Sequence, residues 1–183
     1  MKNKLIVLSG PSGVGKGTIV KELLKKGGYA LSVSCTTRPK RNGEKEGISY
    51  FFVSEEKFRE TIASGGFLEY NNHFGNFYGT PKTFVEKQLL TYDVILEIEV
   101  DGALSVKRSY PDALLIMILP PDENELKARL LKRGSEDGKS IAERLSRMDY
   151  EVSKKSEYDF TVIKDDLQTA VEEIERIIKS AKK

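Results

Sequence analysis

The segment from Leu5 to Thr18 restricts the possible folds more than any other part of the chain. Leu5-Ile6-Val7-Leu8 is a short, uninterrupted apolar run, the pattern of a strand buried on both faces of a parallel sheet. Directly after it, Gly10-Pro11-Ser12-Gly13-Val14-Gly15-Lys16-Gly17-Thr18 matches G-x-x-x-x-G-K. A helix pattern follows over about 17–26 and is ended by Gly27-Gly28. Glycines let the backbone curl until several N–H groups face one anion, and the helix N-terminus adds its positive end. Lys16 then reaches the terminal phosphates of a nucleoside triphosphate. A hydrolase elbow, G-x-S-x-G, would need glycine where Val14 stands, so that reading fails. One detail departs from the strict motif: Gly17 follows the lysine and the hydroxyl arrives only at Thr18. The usual direct ligand for magnesium is displaced, which leaves the ion to phosphates and water.

Further apolar runs at 94–98 and 113–119 and a shorter one at 159–163 read as strands. Helical patterns lie near 102–109, 123–133, 140–156 and 166–180. Strands alternating with helices predict an α/β fold with a parallel sheet flanked by helices. The stretch from about 35 to 80 breaks the alternation. It carries six of the eight Phe and three of the eight Tyr, with short extended runs such as Ser49-Tyr50-Phe51-Phe52-Val53. This predicts an inserted, mainly β lobe with one helix begun by Ser54 and the acidic Glu55-Glu56. The charged segment Lys132 to Lys139 has little to bury and reads as a mobile flap.

At 183 residues the chain suits one compact domain. Thirty basic against 28 acidic residues leave a formal charge of +2, too balanced to imply nucleic acid or a membrane surface as a partner. Cys35 is the single cysteine and His73 the single histidine, which excludes an intrachain disulfide and a plausible zinc site. No apolar run approaches the ~20 residues of a spanning helix, so a cytoplasmic protein is expected.

The lobe is rich in groups suited to a phosphate monoester. Ser34, Arg38 and Arg41 cluster within eight residues, with Tyr50 close behind. The planar guanidinium fork suits phosphate oxygens better than an ammonium does. Beyond them stand Glu69 and Tyr78-Gly79-Thr80-Pro81. A buried carboxylate is the natural acceptor for the N1–H and N2–H₂ donors on one edge of guanine, and adenine has no matching pair. A site of that kind rejects the wrong base because its own polar groups would go unpaired. Taken singly, each residue also has a plain reading, with Thr80 as a helix cap before Pro81 for example.

Over nearly its whole length the chain resembles the bacterial guanylate kinases. The residues that carry this are Gly10 to Thr18, Ser34-Cys35-Thr36-Thr37-Arg38-Pro39, Arg41-Asn42-Gly43-Glu44, Tyr50-Phe51-Phe52 and Phe67-Leu68-Glu69-Tyr70. They continue with Tyr78 to Pro81, Leu96 to Ala103, Arg129 to Gly134, Arg144-Leu145, Glu151 and Tyr158-Asp159. The resemblance implies a P-loop NTPase fold with a core of residues 1–34, 81–132 and 146–183, a GMP-binding lobe of 35–80 and a mobile lid of 133–145. It implies ATP as donor with Mg²⁺, GMP as acceptor, and GDP and ADP as products. Ser34, Arg38, Arg41, Tyr50 and Tyr78 would hold the GMP phosphate, and Glu69 and Thr80 would read guanine, with Glu99 facing the guanine site. Glu97 would face the magnesium through water, and Arg133 and Arg144 would come from the lid to join Lys16 and Arg38 in catalysis. The expected partners are ATP and GMP alone, with the chain as a monomer or homodimer.

Some positions depart from the family pattern. Glu97 and Asp101 stand where Asp and Gln are usual, Lys164 replaces an Asn near the adenine, and Met148 and Tyr150 fill positions that are often small. Rival readings are a kinase for another phosphorylated acceptor, a catalytically dead phosphopeptide-binding module and a regulatory GTPase, the last opposed by the lack of a convincing guanine-base motif of that type. Glu69 with Thr80 weighs against the first, and the retained Lys16 against the second.

Overall fold

A computed structural model of the chain describes residues 3–73, 75–122, 124 and 141–182. Five strands form a parallel sheet: β1 (Leu5–Ser9), β2 (Tyr29–Leu31), β7 (Asp93–Glu97), β8 (Leu114–Leu119) and β9 (Phe160–Ile163), in the order β2-β7-β1-β8-β9. Four more make a smaller sheet within residues 35–81, ordered β4-β3-β6-β5. These are β3 (Cys35–Thr36), β4 (Phe51–Phe52), β5 (Phe67–His73) and β6 (Asn76–Pro81). The helices are α1 (Lys16–Lys25), α2 (Glu55–Ala63), α3 (Lys82–Leu89), α4 (Val100–Ser109), α5 (Ile141–Ser153) and α6 (Leu167–Ser180), with a 3₁₀ turn at Lys154–Glu157.

The apolar runs are continuous because the large sheet is covered on both faces. Ile6 and Leu8 of β1 join one core with Ile116 and Ile118 of β8 and the buried stripes of α1 and α6. Leu5 and Val7 join the opposite core with Leu115 and Met117 and with Val100, Ala103 and Val106 of α4. Alternate residues of a strand point to opposite faces, so both parities must be apolar here. Asp166 caps α6, its carboxylate accepting from the Thr169 amide at 2.8 Å.

The small sheet packs around Phe58 of α2, which is fully buried and stacks on Phe67 at 4.4 Å and Phe77 at 5.3 Å between ring centroids. Ser54 caps α2 as expected, accepting from the Lys57 amide. The reading of Thr80 as a helix cap is corrected: Pro81 occupies the cap position of α3, and Thr80 lies in β6 with its hydroxyl turned to Glu69. Strand β2 escapes the sequence patterns because three half-buried residues carry too short a period to recognise. The expected helix at 123–133, apart from residue 124, and the flap at 132–139 lie outside the described residues.

Candidate active site

The phosphate loop follows β1 and closes on itself. Gly10 has a positive φ of 143°, and a Cβ there would collide with the carbonyl oxygen of Ile118 in the neighbouring strand. Gly15, in the left-handed region at φ 96°, turns the chain into α1. The Lys16 ammonium donates to the Gly10 carbonyl at 2.6 Å and lies 3.4 Å from that of Pro11. Burial lowers its pKa, and the carboxylates of Glu151, Glu97 and Glu99 partly restore it. Such a cation is poorly solvated and thus strongly attracted to an incoming phosphate.

Between the two sheets lies a cavity of about 440 Å³, lined among others by Lys16, Ser34, Tyr50, Glu69, Tyr78 and Glu99. Glu97 lies at its phosphate-loop end, with Oε1 3.5 Å from the point where a side chain on Gly17 would begin. Desolvation raises the pKa of Glu97, while Lys16 and Lys21 pull it back. Gly17 thus leaves room for a hard carboxylate oxygen beside the phosphate loop, a donor type that suits magnesium.

At the end formed by the small sheet, Glu69 is buried and its Oε1 accepts the Thr80 hydroxyl at 2.6 Å. Burial raises its pKa, opposed by the hydroxyl and backbone of Thr80, with the Glu99 charge adding to the rise. Tyr50 and Tyr78 meet edge to face at 6.0 Å. The Arg38 guanidinium stands 5.5 Å from the centre of the Tyr50 ring. It is ion-paired to Glu44 at 2.7 Å, which holds its pKa above the ordinary value. Glu44 also accepts from the Arg41 amide at 2.8 Å, while the Arg41 side chain is exposed. One carboxylate therefore ties together the loop that carries both arginines, a role the sequence did not assign to it. Arg133 lies outside the described residues, and Arg144 lies in α5 with its side chain outside them.

Two departures from the family pattern turn out to be partners. The Tyr150 hydroxyl donates to Asp101 Oδ1 at 2.6 Å, and Arg147 reaches Asp101 at 2.8 Å, Glu99 at 3.3 Å and Glu151 at 3.2 Å. Burial works against the Asp101 charge, but these two donors outweigh it and lower the pKa. Arg147 escaped the sequence reading, although its spacing of four from Glu151 on a helix was visible. Met148 is core, 1% exposed. Lys164, at the end of β9, lays its Cε and Nζ 3.1 and 3.3 Å from the point where a side chain on Gly15 would begin.

A phosphate loop and a buried carboxylate face one cavity from two sheets, and comparison with known proteins gives the family. The guanylate kinase family model matches residues 2–181. The chain belongs to the guanylate kinase family. Curated guanylate kinases of Streptococcus thermophilus and Clostridium tetani are 48% and 47% identical to it over 179 and 182 residues. The alignments cover 96% and 99% of this chain and 86% and 88% of theirs. The guanylate kinase of Prochlorococcus marinus is 45% identical, covering 98% of this chain and all of its own length. The crystal structure of guanylate kinase from Anaplasma phagocytophilum superposes with a TM-score of 0.78 at 30% identity, covering 98% of this chain and 86% of that one.

Proposed function

We infer that the chain transfers the γ-phosphoryl group of ATP to GMP, giving ADP and GDP, in purine nucleotide metabolism. The observation that carries this reading is the shared cavity, with the Lys16 ammonium at one end and the buried Glu69–Thr80 pair at the other. A phosphate oxygen of GMP is already an anionic nucleophile, so the reaction needs alignment and charge neutralisation rather than a general base. That oxygen forms the new bond to the γ-phosphorus as the bond to the β–γ bridging oxygen breaks and ADP leaves.

Each residue has a role in this reading. The amides and hydroxyls of Gly10 to Thr18 cradle the donor phosphates, and Lys16 exchanges its carbonyl partners for phosphate oxygens. Ser34, Arg38, Arg41, Tyr50 and Tyr78 hold the acceptor phosphate. Glu69 and Thr80 read the guanine edge, and Glu99 faces the guanine site from β7's end of the cavity. Glu97 would hold magnesium through water, and the bound ion would neutralise charge on the donor oxygens. Arg133 and Arg144 complete the positive clamp on the transferring group. The low net charge fits small-molecule partners alone and a cytoplasmic setting. No helix among the described residues is long and apolar enough to cross a membrane.

The test is a coupled ADP-release assay against the common nucleoside monophosphates, in which GMP is expected to be the preferred acceptor. Lys16→Ala should lower turnover by orders of magnitude on a correctly folded protein. Preference for another monophosphate, or near-normal turnover in that variant, would overturn the reading.

A further inference from the structure

Asn71 lines the same cavity, and its Oδ1 is shielded from solvent without a hydrogen-bond partner among the described residues. A buried acceptor left unpaired is uncommon in a folded protein and calls for an explanation, because its desolvation goes uncompensated. The β5–β6 register supplies the context. Glu69 is paired with Thr80 and Asn71 with Tyr78, so these four residues form two adjacent rows on one face of the antiparallel ladder. The alternate residues face the other way: Tyr70 is half exposed, and a Cβ on Gly79 would stand 3.0 Å from Phe58.

The first row reads the base, while Tyr78 in the second belongs to the cluster that holds the phosphate. Asn71 therefore stands about 7 Å along β5 from the base reader, in the direction of the phosphate. In a nucleoside monophosphate, the sugar occupies that interval. We propose that Asn71 is a specificity residue that accepts a hydrogen bond from the acceptor's ribose 2′-hydroxyl and so favours ribonucleotide over deoxyribonucleotide. A hydroxyl donor at that place would supply the partner that the enclosed amide oxygen lacks. The inference rests on the assignment of Glu69 and Thr80 to the base and of Tyr78 to the phosphate.

The test compares kcat/KM for GMP, dGMP and IMP in the wild-type enzyme and in Asn71→Ala. Ratios taken within one preparation are independent of its active fraction, so partial misfolding does not obscure them. The wild-type enzyme should prefer GMP over dGMP, and the variant should lose about five- to tenfold of that preference, the range expected for one hydrogen bond. Asn71→Asp, which keeps an acceptor oxygen, should retain more of the preference than the alanine variant. An unchanged GMP-to-dGMP ratio would overturn the proposal. So would a change confined to the GMP-to-IMP ratio, which would assign Asn71 to the guanine 2-amino group. A wild-type enzyme that turned over none of these acceptors would instead remove the acceptor reading itself, and the proposal with it.

Discussion

Glu69 and Thr80 meet across one rung of the β5–β6 ladder, and the geometry leaves the carboxylate almost no freedom. The threonine hydroxyl holds Oε1 at 2.6 Å, while Oε2 lies 2.9 Å from the point where a side chain on Gly102 would begin. Helix α4 thus approaches the small sheet at a residue without a side chain, and the Glu69 carboxylate is held between a strand and a helix.

Gly102→Ala should therefore impair acceptor recognition. Its methyl group would overlap Oε2, and the carboxylate would have to leave Thr80 to escape it. The lost hydrogen bond is expected to raise the KM for GMP by up to about tenfold. The KM for ATP should change little, because the phosphate loop is built on other elements. Steady-state kinetics with each substrate varied in turn would check this. An equal rise in both constants would mean that the helix, not the carboxylate, had shifted.

Burial raises the pKa of Glu69, and the guanine-reading role proposed for it requires the charged form. The KM for GMP should therefore fall as the pH rises above the ordinary carboxylate value of about 4, and Glu69→Gln should be flat over that window. Stability should move in the opposite sense. Where the folded pKa exceeds the unfolded one, the folded state binds more protons, so the group's contribution to stability shrinks as the pH climbs between the two values. Glu69→Gln should then gain in Tm relative to wild type as the pH is raised from about 4 towards neutrality, a comparison that thermal melts across pH can make. A constant difference in Tm would contradict the assigned direction.

Lys164 puts a second ammonium beside the phosphate loop, against Gly15 at the positive end of α1. Among the described residues that ammonium has no hydrogen-bond or ion-pair partner. A cation at a helix N-terminus is unfavourable until an anion binds there, so Lys164 should contribute to donor affinity. Lys164→Ala is expected to raise the KM for ATP a few-fold, with the larger effect at low ionic strength, where screening is weakest. The KM for GMP should stay near its original value. An effect independent of salt would argue against an electrostatic role.

The donor half of the site was legible in the chain because its parts are contiguous. Strand, glycine turn, lysine and helix lie within residues 5–25, and local backbone geometry alone folds the loop around Lys16, whose ammonium donates to the Gly10 carbonyl. The two-sided burial of β1 and β8 was legible for a similar reason, since an unbroken apolar run fits only a strand covered on both faces. The residues proposed for the acceptor could be named by type, and the cavity gathers Ser34, Tyr50, Glu69, Tyr78 and Glu99 from segments up to 65 positions apart.

Relationships carried by long-range contacts were hidden. No local pattern reveals that Gly102 makes room for Glu69, that Tyr150 and Arg147 converge on Asp101, or that Glu44 binds both the guanidinium of Arg38 and the backbone of Arg41. Nor does composition distinguish Asn71, whose amide oxygen is enclosed, from Asn72 beside it. Taken alone, the sequence determined the phosphate loop, the layered core and the kinds of group that line the cavity. Tertiary structure decided which of those groups share a cavity and in what order. The reason is physical: hydrophobic patterning acts through the local period of the chain, whereas a hydrogen bond or a steric gap depends on the final distance between segments that meet only after folding.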